Sequence, residues 1–70
     1  MSDDVDVIGR RMGSKWWFKP MTLWAIAWCQ ENLARHATKR SKAYVVDGRV
    51  GDETFRAMLD AGMVLREENV

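Results

Sequence analysis

The sequence holds one cysteine, one histidine and one proline in 70 residues. With Cys29 alone, no disulfide can form within the chain, so no covalent staple supports the fold. A reducing, cytoplasmic setting is expected. One Cys and one His fall short of the three or four ligands a zinc site takes, and no metal or other cofactor is expected. Long hydrophobic runs are missing too. The longest, "MTLWAIAWC", has nine residues where a membrane span needs roughly 20. The opening "MSDDVD" has the wrong sign for a secretory leader. The chain starts at Met1 without a tag-like run and is expected to be a complete small open reading frame.

Catalytic patterns are equally scarce. Cys29 and His36 lie seven residues apart on one predicted helix, roughly 10 Å along its axis, beyond the reach of a nucleophile and its base. Cys29 is expected as a small apolar residue near the core edge, and His36 as a helix-end cation. Asp3, Asp4 and Asp6 lack calcium-loop spacing. "DGRVGDE" has two glycines but neither a P-loop nor a dinucleotide fingerprint. The chain is expected not to be an enzyme.

What is present is packing material and segregated charge. Hydrophobic residues make up 47% and charged residues 30%, a globular balance. A chain this short buries only about 60% of its unfolded surface, so large side chains must be used for packing. Four Trp are more than one small core readily hides, and a homodimer is expected. Net charge is −3 over residues 1–9, +7 over 10–49 and −3 over 50–70. A basic middle between acidic ends fits an anionic partner.

Residues 1–14, polar and holding Gly9 and Gly13, are expected as a flexible N-terminal arm, with "VDVI" the one patch able to add an edge strand. Residues 15–70 are expected as a single small globular domain. "KWWFKP" reads as an extended lead-in, because the residue before Pro20 favours extended backbone. Adjacent residues of an extended segment point opposite ways, so Trp16 and Trp17 cannot face the same side. Thr22 is a good N-cap, with Met21 and Ile26 placed as a hydrophobic staple. The three- and four-residue spacing of Leu23, Ile26, Ala27, Leu33, Ala34 and Ala37 predicts one long helix over about 22–39. Its final turns carry Arg35, His36, Lys39 and Arg40, which suit the negative end of the helix dipole.

"KAYVVDGRV" then reads as a strand entering a turn. Asp52 is placed to cap a short helix over about 53–61, with Gly62 at its C′ position and Met63 able to contact Met58. The fold class is α+β, with a minimal antiparallel sheet from about 43–50 and 63–65 and a solvated tail "REENV". The expected core is Leu23, Ile26, Ala27, Leu33, Tyr44, Val46, Phe55, Met58, Leu59 and Val64.

Two features point to function. The basic run "RHATKRSK" supplies Arg35, Lys39, Arg40 and Lys42, with Arg10 and Arg11 on the arm, as expected phosphate contacts. The aromatic run offers Trp16, Trp17 and Phe18 as an interface anchor or a surface on which bases stack.

"DGRVGDETFRAMLDAGMVL", residues 47–65, resembles the helix and following strand of winged-helix-like modules. There a Thr-x-Arg-Ala-Leu stretch precedes a glycine and an apolar strand. Thr54, Arg56, Ala57, Met58, Gly62, Met63 and Val64 stand at those places. The resemblance covers about a quarter of the chain and implies a small DNA-binding module. The chain departs from that family in having two predicted helices where three are usual, and in leaving little sequence for a wing after Leu65. Arg56 is the only basic residue on the short helix, beside Glu53 and Asp60, which is poor equipment for reading a groove.

Two functions remain. One is a non-catalytic nucleic-acid-binding accessory or regulatory protein that uses the basic middle. The other is a protein-binding inhibitor or adaptor anchored by Trp16, Trp17 and Phe18, such as a phage-encoded factor that docks on a host enzyme or CRISPR effector. No membrane partner is expected, since the acidic ends disfavour an amphipathic surface peptide.

Overall fold

A computed structural model describes residues 5–68 as an α+β domain. The elements run β1 (Val7–Met12), β2 (Lys15–Pro20), α1 (Leu23–Asn32), β3 (Thr38–Arg40), β4 (Ala43–Asp47), α2 (Gly48–Asp60) and β5 (Leu65–Glu68). The strands form one five-stranded mixed sheet in the order β3-β4-β2-β1-β5. Neighbours pair antiparallel except β1 and β5, which are parallel. Both helices cover the same face, because their buried residues share one core with β1, β2 and β4.

"KWWFKP" is thus more than a lead-in: it is the central strand. Its extended form follows from the aromatic run and the residue before proline. Pro20 at its end costs little, because the chain turns there into α1. Alternation along β2 buries Trp16 and Phe18 among the helices and turns Trp17 to the opposite side.

Residues 7–12 of the expected arm form β1, paired with β2 along its full length. The turn Gly13-Ser14 joins them, with Gly13 at φ 62, the left-handed conformation that favours glycine in a two-residue hairpin loop. Residues 1–4 of that arm lie outside the described residues.

The predicted long helix stops at Asn32. Asn32 Nδ2 donates to the Trp28 carbonyl, and the amides of Leu33 and Ala34 both bond to Cys29 O, closing the helix. Residues 33–36 turn, burying Leu33, and residues 38–40 become β3, hairpinned to β4. The turn at Ser41-Lys42 holds Ser41 at φ 56 without a glycine, so no composition signal marks it. Thr22 caps α1 as expected, accepting from the Ala25 amide at 3.2 Å. Its hydroxyl donates to Asp6 Oδ1 at 3.0 Å, while Asp6 Oδ2 accepts from the Val64 amide at 2.9 Å. Asp6 therefore ties together the starts of β1, α1 and β5.

The inward face of α1 differs from the predicted one. Ala25 and Cys29 are buried, while Leu23 is 87% exposed and Ile26 and Ala27 face outward. The helix is apolar nearly all round, so its periodicity does not select a face. Small residues face the sheet because Phe18, Tyr44 and Val46 already supply the bulk beneath. Leu59 and Val64 are exposed as well, and Val7, Trp16, Phe18 and Met63 complete the core in their place.

α2 begins at Gly48, five residues before the predicted start, and Asp47 rather than Asp52 precedes it. Gly48 and Gly51 look like turn signals but serve close approach. A Cβ on Gly48 would lie 2.9 Å from Ser14 O, and one on Gly51 would collide with the Trp16 side chain at Cβ, Cγ and Cδ1. The C-terminus follows the expected pattern: Gly62, at φ 94, donates to Leu59 O at 3.0 Å, and Met63 donates to Met58 O at 3.1 Å. The next strand runs 65–68 instead of 63–65, so "REE" of the expected solvated tail joins the sheet beside β1.

Alanine at an exposed helical glycine stabilises by about 1 kcal/mol. At Gly51 the collision with Trp16 reverses the sign. Gly51→Ala should destabilise the domain by about 2 kcal/mol, within the range for overpacking, seen as a lower urea midpoint. A raised midpoint would show that the indole is free to move aside.

Candidate nucleic-acid interface

The sheet has one covered face and one open face, and the strand register assigns side chains to each. On the open side lie Ile8, Arg10 and Met12 of β1, Lys15, Trp17 and Lys19 of β2, and Val45 of β4. Arg40 of β3 and Arg66 and Glu68 of β5 extend it to both edges. Trp17 is half-buried at the centre, paired across strands with Arg10 on one side and Val45 on the other.

Two shallow depressions share Trp17, Lys19 and Ala43. One continues to Arg40, Ser41 and Lys42 at the β3–β4 turn. The other continues to Ile8, Arg10 and Glu68. The open face carries Arg10, Lys15, Lys19, Arg40 and Arg66 against Asp47 and Glu68. Among the described residues, none of these five cations lies within ion-pair distance of a carboxylate. An indole set among unpaired cations can stack a planar ring while neutralising phosphates on either side.

The expected phosphate contacts divide. Arg10, Arg40 and Lys42 come together around Trp17. Arg11 points to the covered face, 5.8 Å from the Trp16 ring centroid and 3.8 Å from Asp52 Oδ1. Lys39 sits over Tyr44, 5.7 Å from its ring centroid, in a cleft with Pro20, Ile26 and Lys42. Arg35 is exposed in the turn after α1 and lines neither depression beside Trp17.

The expected aromatic anchor also divides. Phe18 is fully buried and Trp16 is 4% exposed, so both are core and only Trp17 remains on an open surface. Trp16 stacks between Phe18, at 5.3 Å, and Phe55, at 5.5 Å between ring centroids. Its Nε1 donates to Asp52 Oδ1 at 3.0 Å, which satisfies the indole's one donor.

Lys15 and Lys19 share the open face with Trp17, a placement that charge alone does not single out. Once "KWWFKP" is a strand, a period of two puts Lys15, Trp17 and Lys19 on one face, so the signal is there in the alternation.

Cys29 and His36 form no catalytic pair: the thiol is fully buried under α1 and His36 is exposed in the turn. Burial pushes the Cys29 thiol up to about 11. It also raises the Tyr44 phenol, with Cys29 a smaller contribution. No three His, Cys, Asp or Glu side chains among the described residues are grouped to hold a metal. Among the described residues, no helix is long and apolar enough to cross a membrane. Comparison with known proteins gave no match: no family model fits the chain, and no curated protein or solved structure matches it.

Two outcomes follow. Trp16→Ala should cost about 3–5 kcal/mol, the range for a buried large aromatic, while Trp17→Ala should cost less than about 1 kcal/mol. Thermal unfolding of the two variants checks this, and equal losses would mean that Trp17 is core as well. The second concerns Cys29, whose proton is held more tightly folded than unfolded. Its contribution is complete below the unfolded pKa of roughly 8.5 and is lost as pH rises towards the folded value. Stability should therefore fall between about pH 8.5 and 11, and Cys29→Ala should flatten that fall, leaving the part due to Tyr44. An unchanged slope in urea midpoint against pH would rule out this role for the thiol.

Proposed function

We propose that the protein is a non-catalytic nucleic-acid-binding accessory or regulatory protein, and that its ligand is a single strand laid across the open sheet face. The carrying observation is the position of Trp17 at the centre of that face, with Arg10, Lys19, Arg40 and Lys42 lining the depressions beside it. An aromatic platform inside a basic surface is the arrangement by which sheets hold unstacked bases, because every base has a face to stack and every nucleotide a phosphate to neutralise. A duplex suits this surface less, since its bases are already stacked and a broad sheet enters neither groove readily.

The winged-helix-like reading would move DNA contact to α2. That helix carries Arg49 and Arg56 against Asp52, Glu53 and Asp60, so its charge favours the sheet as the nucleic-acid surface. The inhibitor or adaptor reading keeps only Trp17 of its three anchors, since Trp16 and Phe18 fill the core.

Fluorescence anisotropy with labelled single-stranded DNA, single-stranded RNA and duplex DNA over a salt series tests the proposal. Single strands should bind more tightly than about 10⁻⁴ M at physiological salt, the weak limit of non-specific binding. Trp17→Ala should weaken them about 5- to 150-fold, the equivalent of 1–3 kcal/mol for one stacked base. Replacing Lys19, Arg40 and Lys42 by Gln should lower the slope of log K against log salt by about 0.7 for each phosphate no longer neutralised. Affinity below that limit, or indifference to Trp17→Ala, would sink the reading.

A further inference from the structure

The outer surface of α1 stands out for its lack of charge. Pro20 to Gln30 contains no ionisable side chain except the buried thiol of Cys29. Leu23 is 87% exposed, Met21 49%, Trp24 47% and Ile26 36%. At 100° per residue, Leu23, Ala27, Gln30 and Glu31 form one outward stripe with Trp24 beside it, opposite the buried Ala25 and Cys29. A helix that is apolar on every side belongs in an interior, and here only one side is covered by its own domain.

We propose that a second copy of this chain covers it, by antiparallel packing of α1 against its mate about a two-fold axis near Ala27. Three observations select this occupant. First, the remaining surface of the domain is rich in charge of both signs. The other exposed large apolar side chains, Met12, Leu59 and Val64, lie apart among charged neighbours, whereas Met21, Leu23, Trp24 and Ile26 follow one another along one element, and a two-fold contact places the same patch on both sides. Second, the small side chain at the middle lets the helices approach closely. Leu23 of each copy then lies over the stems of Gln30 and Glu31 of its mate. Third, the only charge on the stripe, Glu31 near the C-terminal end, is brought by the antiparallel arrangement to the positive N-terminal end of the facing helix. Met21, Leu23, Trp24, Ile26 and Ala27 expose on the order of 450 Å² per copy. Two copies thus offer at most about 900 Å² from these side chains, since Met21 and Ile26 flank the stripe, which is the size of a weak contact rather than a permanent one.

The contact lies on the helix side of each domain, so it leaves both open sheet faces outward. It does not depend on what those faces bind.

Sedimentation velocity from about 1 to 200 µM is the test. The mass should rise from 8.1 kDa to twice that value with a micromolar midpoint. Leu23→Glu and Ala27→Glu, at exposed positions where circular dichroism should stay native, should each raise the dissociation constant at least 30-fold. Glu31→Lys should raise it about 3- to 10-fold, and Trp17→Glu should leave it unchanged. A mass of 8.1 kDa throughout the range would overturn the proposal. So would dissociation by Trp17→Glu without dissociation by Leu23→Glu, which would place the contact on the sheet. Indifference to Glu31→Lys would overturn the antiparallel packing.

Discussion

The seat of the Trp16 indole is the constraint on which the other elements depend. Phe18 and Phe55 stack on it, Asp52 takes its N–H, and Gly51 gives up a side chain so that α2 can lie against it. Gly9 gives way on the neighbouring strand, where a Cβ would come within 3.1 Å of the same ring. One side chain thereby fixes the distance between α2 and the sheet and the register of β1 on β2. It also explains two acidic and glycine positions in α2 that look, taken alone, like a cap and a turn. In a chain this small, with no disulfide, one well-seated aromatic can set most of the packing.

Because Trp16 faces the helices, Trp17 must face away, and the two sides of β2 acquire different chemistry. Inward, the aromatic neighbours are satisfied by rings and by one carboxylate. Outward, the same strand presents a ring between two lysines, with Arg10 on the adjacent β1 and Arg40 on β3 beyond β4. The helix layer divides in a similar way. α1 uses Ala25 and Cys29 to sit close to the sheet, which turns its larger residues out to solvent. The molecule thus has a basic, aromatic surface on the open side of the sheet and an uncharged apolar patch over α1 on the helix side, and these two suit different kinds of contact.

The fold class, the Thr22 cap, the start of α1, the strand at Tyr44–Val46 and the Gly62 helix end were legible in the sequence, because each rests on local chemistry. The opposite orientation of Trp16 and Trp17 was legible for the same reason. The face of α1 was not, since a helix apolar all round carries no phase. β3 was hidden because lysine and arginine at 39 and 40 continue a helical pattern equally well, and because Ser41 adopts a left-handed turn without glycine. Of β1, only the start was legible, in the "VDVI" patch; the polar stretch 9–12 is a strand because β2 and β5 pair with it, not because of its own composition. On the open sheet face, charge had already drawn attention to Arg10 and Arg40, and to Lys42 beside it, whereas placing Lys15 and Lys19 there required knowing that β2 is a strand. Arg11 and Lys39 lie on the covered side of the sheet; charge alone does not say which face of a strand a residue occupies.

The clasp at Asp6 has a consequence for how the domain assembles. β1–β2 and β3–β4 are hairpins of near neighbours, but Asp6 and Val64 are 58 residues apart. Loop-closure entropy delays such a contact until the intervening chain has condensed. β5 is therefore expected to dock last, and until it does the edge of β1 stands open with its backbone groups unpaired. An open edge beside a formed sheet accepts any strand of suitable register, including β5 of another chain. Asp6 shortens that interval by holding the Val64 amide at the entry to β5. The same carboxylate would receive Val64 from either chain, so closure within one chain is favoured by the local concentration that the tether through α2 gives its own β5.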